Sequence, residues 1–109
     1  MSSRRVIQVS ETIAHLAADF FARESNAQSL ITVTHADLSP DLREVTIFFS
    51  VLPESFEATA LTFAKRKRTE FRDYLKEHSA LQRLPTVDFK LDYGEKNRQR
   101  IDDLTRKKN

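Results

Sequence analysis

A chain of 109 residues, 39% hydrophobic and 31% charged, has room for one compact core and not for a second. It has no cysteine, which excludes disulfides, thiolate chemistry and cysteine zinc sites, and no apolar run approaches the ~20 residues of a membrane-spanning helix. The net charge of +2 hides an asymmetry: residues 1–64 sum to −4 and residues 65–109 to +6, which points to an anionic partner for the second half.

From the N-terminus, the basic start Met1 to Arg5 is not followed by an apolar signal core with a small-residue cleavage site, so the expected location is the cytoplasm. Val6, Val9, Ile13, Leu16, Ala17, Phe20 and Phe21 recur at helical spacing and predict an amphipathic helix over about 5–24, stopped near Ser25-Asn26. Leu30-Ile31-Thr32-Val33-Thr34 is β-branched and predicts a strand. Ser39-Pro40-Asp41 is turn chemistry, and Val45, Ile47, Phe49 and Val51 then alternate with Thr46, Phe48 and Ser50 as a second strand ended by Pro53. A short connection implies antiparallel pairing of the two. A long helix is expected over about 55–79, with Phe56, Ala60, Phe63, Ala64, Phe71, Tyr74 and Leu75 on its buried face. Pro85 blocks further helix, and Val87, Phe89, Leu91 and Tyr93 mark a third strand. In the polar tail from Glu95, Ile101 and Leu104 are placed on one short docking turn and Thr105 to Asn109 are expected to be disordered. The order α-β-β-α-β with a three-stranded sheet packed against helices is α+β.

The run Lys65-Arg66-Lys67-Arg68-Thr69 is the most informative stretch. In a continuous helix Lys67 falls in the middle of the apolar face, where an unpaired lysine is costly, so the helix is expected to break near 65–69. Such a junction gathers cations and free backbone groups where a phosphate can be held. On the helical wheel Lys65, Arg68, Arg72 and Lys76 share one solvent-facing stripe. Arg66, Glu70, Asp73 and Glu77 form the next, with an internal Arg66–Glu70 pair. Elsewhere the chemistry is sparse. His15, His35 and His78 lack metal-ligand spacing, and Ser10, Ser39 and Ser50 lack a nucleophile motif. Asp37 and Asp41 read as local caps, and the single glycine, Gly94, excludes Walker, Rossmann and G-x-x-G loops. Phe48 is assigned to core on a helix-covered face rather than to base stacking.

Ile31-Thr32-Val33-Thr34, Leu38-Ser39-Pro40-Asp41-Leu42 and Val45-Thr46-Ile47-Phe48-Phe49-Ser50-Val51-Leu52 together resemble the two-strand signature of the ribosome-binding factor A family. Arg83-Leu84-Pro85 with Val87-Asp88-Phe89 and Asp92, Arg100-Ile101-Asp102-Asp103-Leu104 near the end, and Arg4-Arg5-Val6 at the start resemble further pieces of its pattern, in the same order. The resemblance implies a single type II KH-like domain that binds small-subunit ribosomal RNA late in assembly, without enzymatic activity. Family members break the long helix at an Ala-x-Gly element, which aligns with Lys67-Arg68-Thr69; this sequence carries neither the alanine nor the glycine.

The combined expectation is a KH-like RNA-binding domain over residues 1–94 and a basic tail over 95–109. Lys65, Arg66, Lys67, Arg68, Arg72 and Lys76 are the RNA contacts; no catalytic residue, metal or cofactor is assigned. The partners are small-subunit ribosomal RNA and the small subunit, and the chain is taken as a monomer. The alternative is a protein-interaction or ribosome-regulating module whose sheet or first helix docks a protein.

Overall fold

In the computed structural model, which describes residues 4–24 and 29–94, the alternation of apolar residues along one central strand organises everything else. The elements run α1 (Arg4–Glu24), β1 (Leu30–Leu38), β2 (Glu44–Leu52), a short 3-10 turn (Glu54–Phe56), α2 (Glu57–Arg66), α3 (Arg68–His78) and β3 (Thr86–Leu91). Strand β2 lies between β1, to which it is antiparallel, and β3, to which it is parallel. A parallel neighbour requires a long crossover, and α2 and α3 supply it. This is the α+β, KH-like arrangement the sequence pattern implies.

Period-two alternation sends Val45, Ile47, Phe49 and Val51 to one face, where all four are buried. Val87 and Phe89 of β3 and Leu38 of β1 join them. The helices cover this face. Phe21 of α1 packs its ring edge-on to Phe89 at 5.2 Å, Phe71 of α3 meets Phe89 at 5.8 Å, and Phe20 meets Phe71 at 5.4 Å. Each such ring buried contributes roughly 1.5–3 kcal/mol of transfer free energy.

The first helix and the first two strands lie where periodicity puts them, while β3 stops at Leu91, short of the expected Tyr93, which is 48% exposed. Strand β1 runs four residues beyond the expected Thr34, through an irregularity between Val33 and His35 that keeps Ala36 and Leu38 on the core side. The opposite face of the sheet departs from expectation. Phe48 does not lie in a helix-covered core, because no helix among the described residues packs on its face; its ring is half-buried and stacks on His35, with centroids 4.5 Å apart. Alternation identifies the face correctly, and the error lies in supposing a second helical layer. The stop at Ser25-Asn26 and the tail with Ile101 and Leu104 lie outside the described residues. No described helix is long and apolar enough to cross a membrane.

Candidate nucleic-acid interface

The expected break is present. Lys67 separates α2 from α3 with φ −91° and ψ 5°, outside the helical well, while its N–H still bonds the carbonyls of Ala64 (3.0 Å) and Phe63 (3.2 Å). The apolar spacing explains why the chain bends here. Ala60, Ala64, Phe71 and Leu75 are buried on either side, and Lys67 occupies the position between them. The break turns its side chain aside, and the aliphatic stem carries the ammonium out along the apolar surface, to 5.7 Å from the Phe63 ring centroid.

Lys67, expected among the RNA contacts, does not reach open solvent. Its Nζ lies 3.1 Å from Glu70 and 3.5 Å from Glu24 at the end of α1, with the side chain only 26% exposed. The hydrogen bond to Glu70 is the main cause that raises its pKa above the ordinary 10.5, partial burial opposing it and the charges of both glutamates adding to it. The expected Arg66–Glu70 pair is not formed, because Lys67 takes Glu70 from the opposite side of the junction.

On the β3 side of the helices, Lys65 and Arg68 converge on Asp88, with contacts of 3.4 and 3.7 Å, and the Arg68 Nε–H donates to the Lys65 carbonyl at 3.1 Å. One carboxylate therefore faces two cations. Asp88 is a counter-ion that sequence reasoning missed: alternation turns it away from the core, but only the parallel β2–β3 pairing shows that it sits at the sheet edge under α2. Arg72 and Lys76 continue the stripe along α3, and both, like Arg66, are exposed and make no ion pair among the described residues. Five of the six expected cations thus lie on the outer surface of α2 and α3, and Lys67 is drawn toward α1.

The open face of the sheet is of mixed polarity. His35 Nδ1 lies 3.4 Å from Asp92 Oδ2, and the Thr34 hydroxyl donates to the same oxygen at 2.5 Å. Lys90 is paired in register with Phe48, and Leu30 with Leu52, the two leucines 61% and 62% exposed. With Asp92 beside Lys90, this face carries less net positive charge than the α2–α3 edge does. No group of three or more His, Asp or Glu side chains with metal-site geometry occurs among the described residues.

The family model for ribosome-binding factor A matches residues 5–105. The ribosome-binding factor A of Natranaerobius thermophilus is 30% identical over 112 residues, an alignment taking in 100% of this chain and 86% of that protein. Among solved structures, the crystal structure of ribosome-binding factor A from Thermus thermophilus superposes with a TM-score of 0.71 at 20% identity, covering 79% of this chain and 94% of that one. Coordinates of the Thermus thermophilus factor fitted into the cryo-EM map of its 30S complex superpose at 0.70 with 19% identity, over 80% of this chain and 94% of that one.

Proposed function

The chain belongs to the ribosome-binding factor A family, and from that premise we propose that it binds the ribosomal RNA of the small (30S) subunit late in maturation, as a non-catalytic assembly factor in the cytoplasm. The observation that carries the reading is the cationic edge: Lys65, Arg68, Arg72 and Lys76 share the stripe of α2 and α3 that meets Asp88, with Arg66 exposed on the neighbouring stripe. Such an edge makes phosphate contacts, which position a protein on RNA without reading its sequence. Residues 1–94 form the binding domain and 95–109 a basic tail that adds to the attraction. The protein acts as a monomer and favours one ribosomal RNA conformation over its competitors by binding it more tightly. The Thermus thermophilus factor's presence in a 30S complex supports the partner.

In this chain Lys67 has a different part from its neighbours. Its two carboxylate partners hold the α2–α3 junction against α1, at the place where the resemblance puts the Ala-x-Gly element. A second reading, a protein partner on the open sheet face, is favoured by the exposed Leu30–Leu52 pair beside Phe48.

Sedimentation of lysate containing the tagged protein, followed by crosslinking of bound RNA, tests the reading. Enrichment on free small subunits with crosslinks from the α2–α3 edge is expected. Uniform distribution through the soluble fraction, or crosslinks to protein alone, would count against it.

A further inference from the structure

At the opposite end of α3 from the junction, the start of α1, the β1–β2 turn and the α3–β3 connection enclose a cleft of about 500 Å³. Its walls are mixed: the half-buried Val9, Leu42 and Leu81 supply its accessible apolar side chains, Leu38 and Pro85 are buried, and Gln82 adds an exposed amide. Arg5 and Arg83 stand at its mouth, both exposed and without an ion pair among the described residues. Asp41 also lines the mouth, but its charge is already engaged. The Ser39 hydroxyl donates to it at 2.6 Å, the Arg43 N–H at 3.1 Å, and the Arg43 guanidinium approaches to 3.9 Å. The turn that presents Leu42 holds it at φ +64°, in the left-handed region a branched side chain rarely adopts. That conformation is fixed by the Leu42 N–H bond to the Ser39 carbonyl at 2.9 Å.

We infer that this cleft is a second RNA site, which takes one nucleotide of a single strand with its phosphate between Arg5 and Arg83 and its base against Leu42 and Leu81. The inference rests on the RNA-binding reading above and extends it. Two guanidinium groups suit a phosphate, which they can hold through paired N–H donors. The accessible leucine side chains suit an unstacked base, which a duplex does not offer, so the site selects single-stranded or looped RNA. Helix α3, 11 residues or about 16 Å long, leads from the junction to this cleft. A strand following the edge past Arg68, Arg72 and Lys76 runs toward the end of α3 from which the connection carrying Arg83 departs.

The test titrates the full chain with a fluorescein-labelled single-stranded RNA decamer of mixed sequence, read by anisotropy and by backbone amide NMR shifts. Shifts at Leu42, Leu81 and Arg83 are expected, and R5E/R83E should weaken binding on the order of tenfold. R5Q/R83Q, which introduces no new negative charge, should weaken it less and in the same direction, guarding against a folding defect in the reversal. Full affinity in both variants with silent cleft amides, while reversal of Arg68, Arg72 and Lys76 abolishes binding, would overturn the cleft and leave the RNA reading standing. No binding of the decamer or of small subunits by the unaltered chain would overturn both. Shifts at the cleft with a polyglutamate peptide and none with RNA would overturn the nucleotide assignment.

Discussion

Helix α3 carries opposite charge along its two long edges, and the two are wired differently. Toward β3, Lys65 and Arg68 share the carboxylate of Asp88, and Arg72 and Lys76 pair with nothing described. Toward α1, Glu24 and Glu70 share the ammonium of Lys67, while Asp73 and Glu77 stand beside Tyr74 without an ion pair among the described residues. Each edge engages one opposite charge at the junction and keeps a surplus further along. The edges are separated by roughly the 10 Å diameter of a helix, about one Debye length at physiological salt. A polyanion is therefore drawn to one edge and repelled by the other.

The largest effect is expected from inverting the cationic edge. R68E/R72E/K76E should lower affinity for small subunits by about 100-fold or more at ~0.1 M salt. Stability should stay within about ±0.5 kcal/mol per site, since all three side chains are exposed. The matching inversion on the other side, D73K/E77K, should leave affinity unchanged or raise it. Equal losses from the two, read by cosedimentation, would remove the distinction between the edges.

Next in size is Lys67. Lys67→Glu places three carboxylates at the junction and should lower the melting temperature by several degrees, while Lys67→Leu, which keeps the packing on Phe63 but leaves Glu24 and Glu70 without their shared cation, should lower it by less. If Lys67→Leu costs as much RNA affinity as the loss of Arg72, the lysine is an RNA contact and not a brace. Smaller still is Asp88→Asn, which releases Lys65 and Arg68 from their shared counter-ion and should raise RNA affinity roughly threefold. A fall in affinity would mean that Asp88 holds these two side chains in their binding geometry.

The order of elements, the helix break and the cationic stripe were legible because each rests on local periodicity or on the cost of burying a charge. Val45, Ile47, Phe49 and Val51 declare a face by alternation alone. The partners of the charges were not legible. Lys67 takes Glu24, 43 positions away, and Lys65 takes Asp88, 23 positions away; both depend on how α1 and β3 are laid against the long helix. The face of Phe48 was legible but its cover was not, since alternation says which way a side chain points and nothing about what lies there. Residues of the cleft, drawn from Arg5, Leu42 and Arg83, share no local pattern at all.

The smallest effect expected lies in the turn beside the cleft. The Ser39 hydroxyl, then the Arg43 N–H, hold the Asp41 carboxyl below its ordinary pKa of 3.8. Its contribution to stability is therefore complete above that value and lost as pH falls through the lower folded-state pKa. Asp41→Ala should lower the melting temperature slightly at neutral pH, and by progressively less as pH falls through the folded-state pKa and the unaltered carboxyl becomes protonated in folded and unfolded chains alike. A deficit that grows in acid would contradict the assignment.

That the α2–α3 edge grips RNA by its phosphates is tested most directly by the salt dependence of binding to purified small subunits. For the unaltered chain, log affinity should fall linearly with log salt, by about 0.7–0.9 per phosphate contacted. R68E/R72E/K76E should flatten that slope by about 2, the release of counter-ions at those three side chains being gone. A flat dependence in the unaltered chain, or a slope that the triple reversal leaves unchanged, would contradict a phosphate grip at this edge.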